Sequence, residues 1–281
     1  MALGLTATKI PPNNGSSYPA TGAPEHERRF LLTRDAADAF VAAIAAHTIA
    51  DIHDDHNPVE YTRTTYLDTD DFAFFRSSTG ETSHRLRVRE YACAPDLTSA
   101  PLFTGLCFLE LKQVRDSLRI KSRISAPPAV IAQVIEGRRH IDVISGWRLA
   151  PLRALARQLD AAQFAPRVST WYRRACRTDE TGRIRITLDA DVLFCRPTPI
   201  GAACRRATPG DLVARGPERL LEVKYRDDEP AWLARALGPL TESTHFSKFR
   251  FGMQALLAIV PADEGAALSS ETPVEELRSV A

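Results

Sequence analysis

Charged and aliphatic residues alternate strictly through the middle of this chain. Arg85, Arg87 and Arg89 alternate with Leu86 and Val88. A strand there puts three guanidinium groups on one face and aliphatics on the other. Glu110 and Lys112 alternate with Leu109 and Leu111, Lys121 and Arg123 with Ile120, Ser122 and Ile124, and Glu222 and Lys224 with Leu221 and Val223. Arg183, Arg185, Thr187 and Asp189 do the same against Ile184, Ile186 and Leu188. At 171–176, Trp171, Arg173 and Ala175 share one face, with Tyr172 and Arg174 on the other.

These periods predict strands over 27–32, 61–67, 85–91, 107–114, 119–125, 167–176, 184–194 and 220–225. Helices are predicted over 35–47, with Thr33 or Asp35 as its cap, and over 128–136, 151–159, 230–237 and 246–259, with a Phe-rich helical turn after Asp70. Strands mostly follow strands, so the order predicts an α+β fold around one antiparallel sheet. One strand of this kind is a solvated face over an aliphatic core. Five or six crowd one face with cations, which a closed sheet would turn inward around a lumen, leaving helices to cover the aliphatic outside. Lining guanidiniums about 7 Å apart repel one another. Reversing one of them, as in Arg87→Glu, is therefore expected to leave the fold intact.

Composition adds limits. Residues 1–23 and 262–281 are small and polar and are expected to be disordered tails around a folded region at 24–261. The formal charge of +1 argues against a generally basic nucleic-acid-coating protein, and no nucleic-acid-binding module is recognisable. The five cysteines are odd in number and lack a Cys-x-x-Cys pair, which points to reduced thiols in the cytoplasm. No apolar run is long enough to span a bilayer, and no signal core is evident. Neither a G-x-x-x-x-G-K loop nor a G-x-G-x-x-G after a strand occurs. The stretch Asp51–His56 has no recognised ligand spacing and reads as a polar loop. Arginine and lysine on an inward face suit a polyanion of phosphates with a divalent cation.

Nine short phrases then appear in order: Glu-Arg-Arg-Phe (27–30), Thr-Tyr-Leu-Asp-Thr (65–69), Arg-Leu-Arg-Val-Arg-Glu-Tyr (85–91), Leu-Glu-Leu-Lys (109–112), Lys-Ser-Arg (121–123), Trp-Tyr-Arg-Arg-Ala (171–175), Arg-Ile-Thr-Leu-Asp (185–189), Leu-Glu-Val-Lys-Tyr (221–225) and Phe-Ser-Lys-Phe (246–249). Together they resemble the VTC (vacuolar transporter chaperone) domain, the polyphosphate-polymerase branch of the triphosphate tunnel metalloenzymes, related to CYTH domains.

The resemblance implies an eight-stranded antiparallel β tunnel with flanking helices, and a metal-dependent transfer of the ATP γ-phosphate to a growing polyphosphate chain. It implies catalytic cations at Lys248, Arg87, Arg89 and Lys112. Substrate would be held by Arg29, Arg76, Arg85, Lys121, Arg123, Arg173, Arg185 and Lys224. Glu222 would hold Mn²⁺ or Mg²⁺. The implied partners are ATP and polyphosphate, with a membrane-protein partner conceivable for a chain without a span of its own. Hydrolysis of a triphosphate in the same tunnel, with Glu110 or Glu27 orienting water, and a non-catalytic polyphosphate-binding module are the alternatives. The chain departs from the family pattern at Arg29-Phe30, where Lys-Tyr is usual, at His245, a lysine in some members, and at Glu90, often aromatic.

Overall fold

The computed structural model describes residues 25–80, 82–115, 118–136, 146–147, 164–200, 206–243 and 245–259. The expected tails and the helix expected over 151–159 lie outside the described residues.

Each long alternating run forms a strand: β1 (Glu25–Leu32), β3 (Val59–Asp68), β4 (Ser83–Ala94), β5 (Leu102–Arg115), β6 (Leu118–Ala126), β8 (Ala165–Thr178), β9 (Ile184–Cys195) and β11 (Arg219–Arg226). Three short strands join them, β2 (Ile49–Ala50), β7 (Gly146–Trp147) and β10 (Leu212–Arg215). They are too short for alternation to announce them. The strands are antiparallel in the order β1-β11-β9-β8-β3-β4-β5-β6-β7, with β10 beside β9 and β2 beside β8.

This sheet corrects the expected architecture in two respects. It has eleven strands rather than eight, and it is not closed: among the described residues β1 and β7 are its two ends. The sheet nevertheless curls into a tunnel-like form. Lys112 on β5 feels the charges of Glu222 and Lys224 on β11, and Arg85 on β4 feels Arg29 on β1.

The outer, aliphatic face is covered as the pattern demands. Helix α1 (Arg34–Ile44) is capped by Thr33, whose hydroxyl accepts from the Ala36 amide at 3.3 Å. With α4 (Ala231–Leu237), it packs Phe40, Ile44, Leu233 and Leu237 against Phe30, Ile184, Ile186, Leu221 and Val223. Helix α3 (Pro128–Ile135), with proline in its first turn, sets Ile131 against Leu86, Val88, Leu109, Leu111 and Ile124. Each such side chain contributes about 1.5–3 kcal/mol by leaving water.

The inner face changes character along the strands. At one end it turns aromatic and aliphatic, with Tyr66, Val168, Tyr172 and Phe194, and here the last described helix, α5 (Lys248–Ile259), docks through Phe249, Met253 and Leu256. The short helix α2 (Ala73–Arg76) lies alongside α5. Among the described residues no helix is long and apolar enough to cross a membrane.

Close approach of α5 to the sheet depends on Gly252. A Cβ there would lie 2.7 Å from Phe194 Cδ1 and 3.3 Å from Val168 Cγ2. Phe194 is fully buried and has little room to yield. Gly252→Val is expected to lower unfolding stability by about 1–3 kcal/mol through overpacking. Urea denaturation checks this, and an unchanged midpoint would contradict the tight docking of α5.

Candidate functional site: a charged interior

Register places the charged residues of seven strands on one continuous inner face. Glu27 and Arg29 of β1 oppose Lys224 and Glu222 of β11, which oppose Arg185 and Thr187 of β9. Asp189 opposes Arg174 of β8. On the other side, Arg85 and Arg87 of β4 oppose Lys112 and Glu110 of β5, which oppose Lys121 and Arg123 of β6. Thr64 of β3 opposes Arg89, whose Nε donates to the threonine hydroxyl at 3.3 Å.

Two buried carboxylates organise this face. Glu110 is wholly excluded from solvent. Arg87 Nε donates to its Oε2 at 2.7 Å, and Arg123 Nε and Lys121 Nζ pair with its Oε1 at 2.9 and 3.1 Å. Burial alone would raise the Glu110 carboxyl, but Arg87, Arg89, Lys121 and Arg123 outweigh it and hold the group well below the usual carboxylate range. Asp189 is the second anchor. Arg174 grips it with two hydrogen bonds of 2.6 and 2.8 Å, and the Lys248 ammonium pairs with it from the first turn of α5. Lys248 also sits 4.5 Å from the ring centroid of Tyr172.

Glu222 lies between these anchors, 3.3 Å from Arg29 Nε and 4.0 Å from Lys224 Nζ. Burial would raise its carboxyl, but Lys224, Arg174, Arg29 and Lys112 hold it below its ordinary value. Glu27 pairs with Arg29 and, at 3.5 Å, with Lys224. Two carboxylates thus share two cations at one place on the face.

Other cations are left over. Arg85, Arg89 and Lys112 form no ion pair with a carboxylate among the described residues. The charge of Arg87, followed by burial, pushes the Lys112 ammonium well below the ordinary lysine value. Burial brings Lys121 down to about 8 in spite of Glu110. The hydroxyls of Tyr172 and Thr187 are buried on this face without a hydrogen-bond partner among the described residues. Cation and hydroxyl donors therefore exceed acceptors in the interior.

Ten of the thirteen expected site residues, together with Glu222, are brought together here: Arg29, Arg85, Arg87, Arg89, Lys112, Lys121, Arg123, Arg185, Lys224 and Lys248. Two are not. Arg76 is exposed on α2 and pairs with Asp71. Arg173 opposes Tyr61 on the outer face and donates to Asp191 at 3.0 Å. Its neighbour Arg174 occupies the interior in its place. Both faces of that strand carry an arginine, so alternation alone did not say which faced inward. The premise behind the Arg87→Glu expectation, relief of repulsion, does not hold: Arg87 is paired with the buried Glu110, and reversal would oppose two buried carboxylates. The departure at Glu90 has a structural account: it is buried on the outer face in an ion pair of 2.6 Å with Arg63. The Asp51–His56 loop holds no cluster of metal-ligating groups among the described residues.

The fold and this interior define a tunnel-like antiparallel-sheet protein with a cation-rich lining. Residues 24–257 match the VTC domain, and the chain belongs to that family. No curated protein is matched by the sequence. Among solved structures, the chain is similar to a putative adenylate cyclase from Bacillus halodurans, at 14% identity over 82% of this chain and 97% of that one, with a TM-score of 0.48. It is also similar to a Pyrococcus horikoshii protein, at 11% identity over 82% and 99% of the two chains, with a TM-score of 0.41.

Glu110→Gln removes the counter-charge of the buried Arg87 and Arg123 and of the half-buried Lys121, and is expected to cost about 3–5 kcal/mol of stability at neutral pH. In the parent, the folded carboxyl sits below its unfolded value of 4.5. Its stabilisation is therefore complete above that value and is lost as pH falls toward the folded one. The variant should accordingly show weaker acid sensitivity than the parent below the unfolded value. Parallel urea and acid titrations measure both effects, and a Gln variant as stable as the parent contradicts the anchoring role.

Proposed function

We propose that this protein is a metal-dependent polyphosphate polymerase that transfers the γ-phosphoryl group of ATP to a polyphosphate chain inside the basic interior. The observation that carries this reading is the set Arg85, Arg89 and Lys112, which make no direct ion pair with a carboxylate among the described residues, on a face where Glu110 and Asp189 pair with the neighbouring cations. Such a site stabilises mobile negative charge, and guanidinium forks match phosphate oxygens. Membership of the VTC domain family supports the same substrate class.

Glu222 and Glu27 suit a divalent ion that arrives with phosphate, because Mg²⁺ is commonly bound by one or two carboxylates plus phosphate oxygens. Bound there, Mn²⁺ or Mg²⁺ would neutralise charge on the phosphate oxygens. The protein's own part is positioning. Arg89 and Lys112 orient the γ-phosphate while a terminal oxygen of the acceptor chain attacks phosphorus. The bond from the γ-phosphorus to the bridging oxygen breaks and ADP leaves with that oxygen. Catalysis of this kind draws on preorganised charge and needs no covalent protein nucleophile.

Hydrolysis is less well supported. Glu110, one of the two carboxylates that could orient water, is wholly buried and engaged by three cations. Incubation with ATP and Mn²⁺ distinguishes the chemistries, since long chains on a gel support the polymerase and orthophosphate alone contradicts it. Binding without turnover in the parent would instead indicate a polyphosphate-binding module.

Two predictions accompany this reading. Arg174→Ala would leave the inward Asp189 carboxylate with Lys248 as its remaining partner and should therefore weaken tripolyphosphate binding by at least about tenfold, whereas Arg173→Ala should leave it within about twofold. Calorimetric titration checks the pair, and the reverse order would contradict the inward assignment of Arg174. The second concerns pH. Lys121 loses its proton near 8 in the free protein, and a bound polyanion raises that value. Affinity should therefore fall as pH rises through about 8, and Lys121→Arg, which stays charged, should flatten the decline.

A further inference from the structure

We propose that the Thr187 hydroxyl is a neutral oxygen ligand of the divalent-ion site, facing Glu222 across the pairing of β9 with β11. The inference rests on the metal-dependent reading above and adds to it a residue outside the expected lining.

Thr187 is 6% exposed and faces inward between Arg185 and Asp189 of β9. Its hydroxyl is buried without a hydrogen-bond partner among the described residues. Other buried threonines of the sheet do find one. Thr64 accepts from Arg89 Nε at 3.3 Å, Thr65 lies 2.8 Å from the Ser169 hydroxyl, and Thr170 donates to the Thr64 carbonyl at 3.4 Å. A buried hydroxyl left unbonded is destabilising, and valine would keep the same β-branched shape without that loss. An orphaned hydroxyl on this face therefore points to a ligand.

The neighbours of Thr187 indicate which ligand. Glu222 stands directly opposite on β11, and Cys176 directly opposite on β8. Opposed residues of an antiparallel pair have Cβ atoms about 4.5–5.5 Å apart. That gap is within reach of a hydrogen bond from Thr187 to the Glu222 carboxylate, yet none forms. Both side chains thus keep lone pairs for a cation between them. Glu222 is also loosely held, 3.3 Å from Arg29 Nε and 4.0 Å from Lys224 Nζ, whereas the contacts that fix Glu110 are 2.7, 2.9 and 3.1 Å. A hard divalent ion takes oxygen ligands, and Mg²⁺ beside phosphates is commonly held by a serine or threonine hydroxyl together with a carboxylate. The Cys176 thiol suits softer metals, so the oxygen pair is the side that fits.

The test measures tripolyphosphate affinity of the full chain in EDTA and at one fixed free Mn²⁺ concentration, at equal ionic strength because screening weakens such binding. The gain in affinity that Mn²⁺ brings is the readout, and chelation of Mn²⁺ by tripolyphosphate in solution affects parent and variant alike. Thr187→Val is expected to cut that gain roughly tenfold and to leave the affinity in EDTA within about twofold. Thr187→Ser, which keeps the hydroxyl, should retain most of the gain. Without metal the Val variant should unfold at a midpoint no lower than the parent's, because it buries no orphaned hydroxyl. A lower midpoint would reveal a partner within the protein and overturn the inference. An unchanged gain overturns it too, and an equal loss in EDTA assigns the hydroxyl to a phosphate oxygen instead. In each of those cases the metal-dependent reading stands, whereas a parent that gains nothing from Mn²⁺ overturns both.

Discussion

A carboxylate shut away from water under three cations is the condition on which the interior of this protein depends. Glu110 has no exposure, and Arg87, Lys121 and Arg123 converge on it from two neighbouring strands. Without it, cations from β4 and β6 would meet across β5 with only one another for company, in a setting where unpaired charge costs several kcal/mol. With it, the sheet tolerates a basic face and holds it in a fixed geometry. Asp189 does the same between Arg174 and Lys248, and so fastens the first turn of α5 to the sheet. These buried pairs are weak evidence for net stability, since replacing such a pair by apolar residues of the same volume is often neutral or stabilising. Their consequence is specificity of arrangement.

Neutralisation is selective, and the selection sorts residues that look alike in sequence. The phrases Leu-Glu-Leu-Lys and Leu-Glu-Val-Lys both put Glu and Lys on the inner face. Glu110 is consumed by structure, whereas its companion Lys112 is left without a carboxylate. In the second phrase, Glu222 and Lys224 share an ion-pair network with Glu27 and Arg29 at the other end of the sheet order. One strand thus supplies surplus positive charge and the other supplies carboxylates suited to a divalent ion. Curling the sheet brings the two together, as the influence of Glu222 and Lys224 on Lys112 records.

Alternation with period two made the eight long strands legible, because seven have aliphatics to bury under α1, α3 or α4 and β8 buries Val168 and Tyr172 under α5. It could not announce β2, β7 or β10, which are held by their neighbours in the sheet rather than by their own pattern. Nor does alternation reveal register. That Glu110 falls opposite both Arg87 and Arg123 is a property of two hairpins, and without it the row Arg85, Arg87, Arg89 reads as three equivalent charges. The same blindness exchanged Arg173 for Arg174, since Trp171 and Tyr172 give both faces of β8 an aromatic and an arginine. Arg76 was carried by resemblance alone, and nothing in its local pattern fixed where its side chain would go.

The division of labour between arginine and lysine follows from the same charge accounting. Guanidinium groups keep their protons in any setting met here, so the arginines give the interior a fixed positive charge. Lysine is the group that yields when cations crowd. Arg87 and burial depress Lys112, and burial depresses Lys121 even with Glu110 beside it. Four of the five lysines, Lys112, Lys121, Lys224 and Lys248, face this interior. An interior built only of arginine would hold its full repulsion when empty. Lysines at the crowded positions let the empty site shed charge and regain it as an anion enters, so binding is coupled to proton uptake. The scarce residue in this chain is placed where an adjustable charge relieves the most strain.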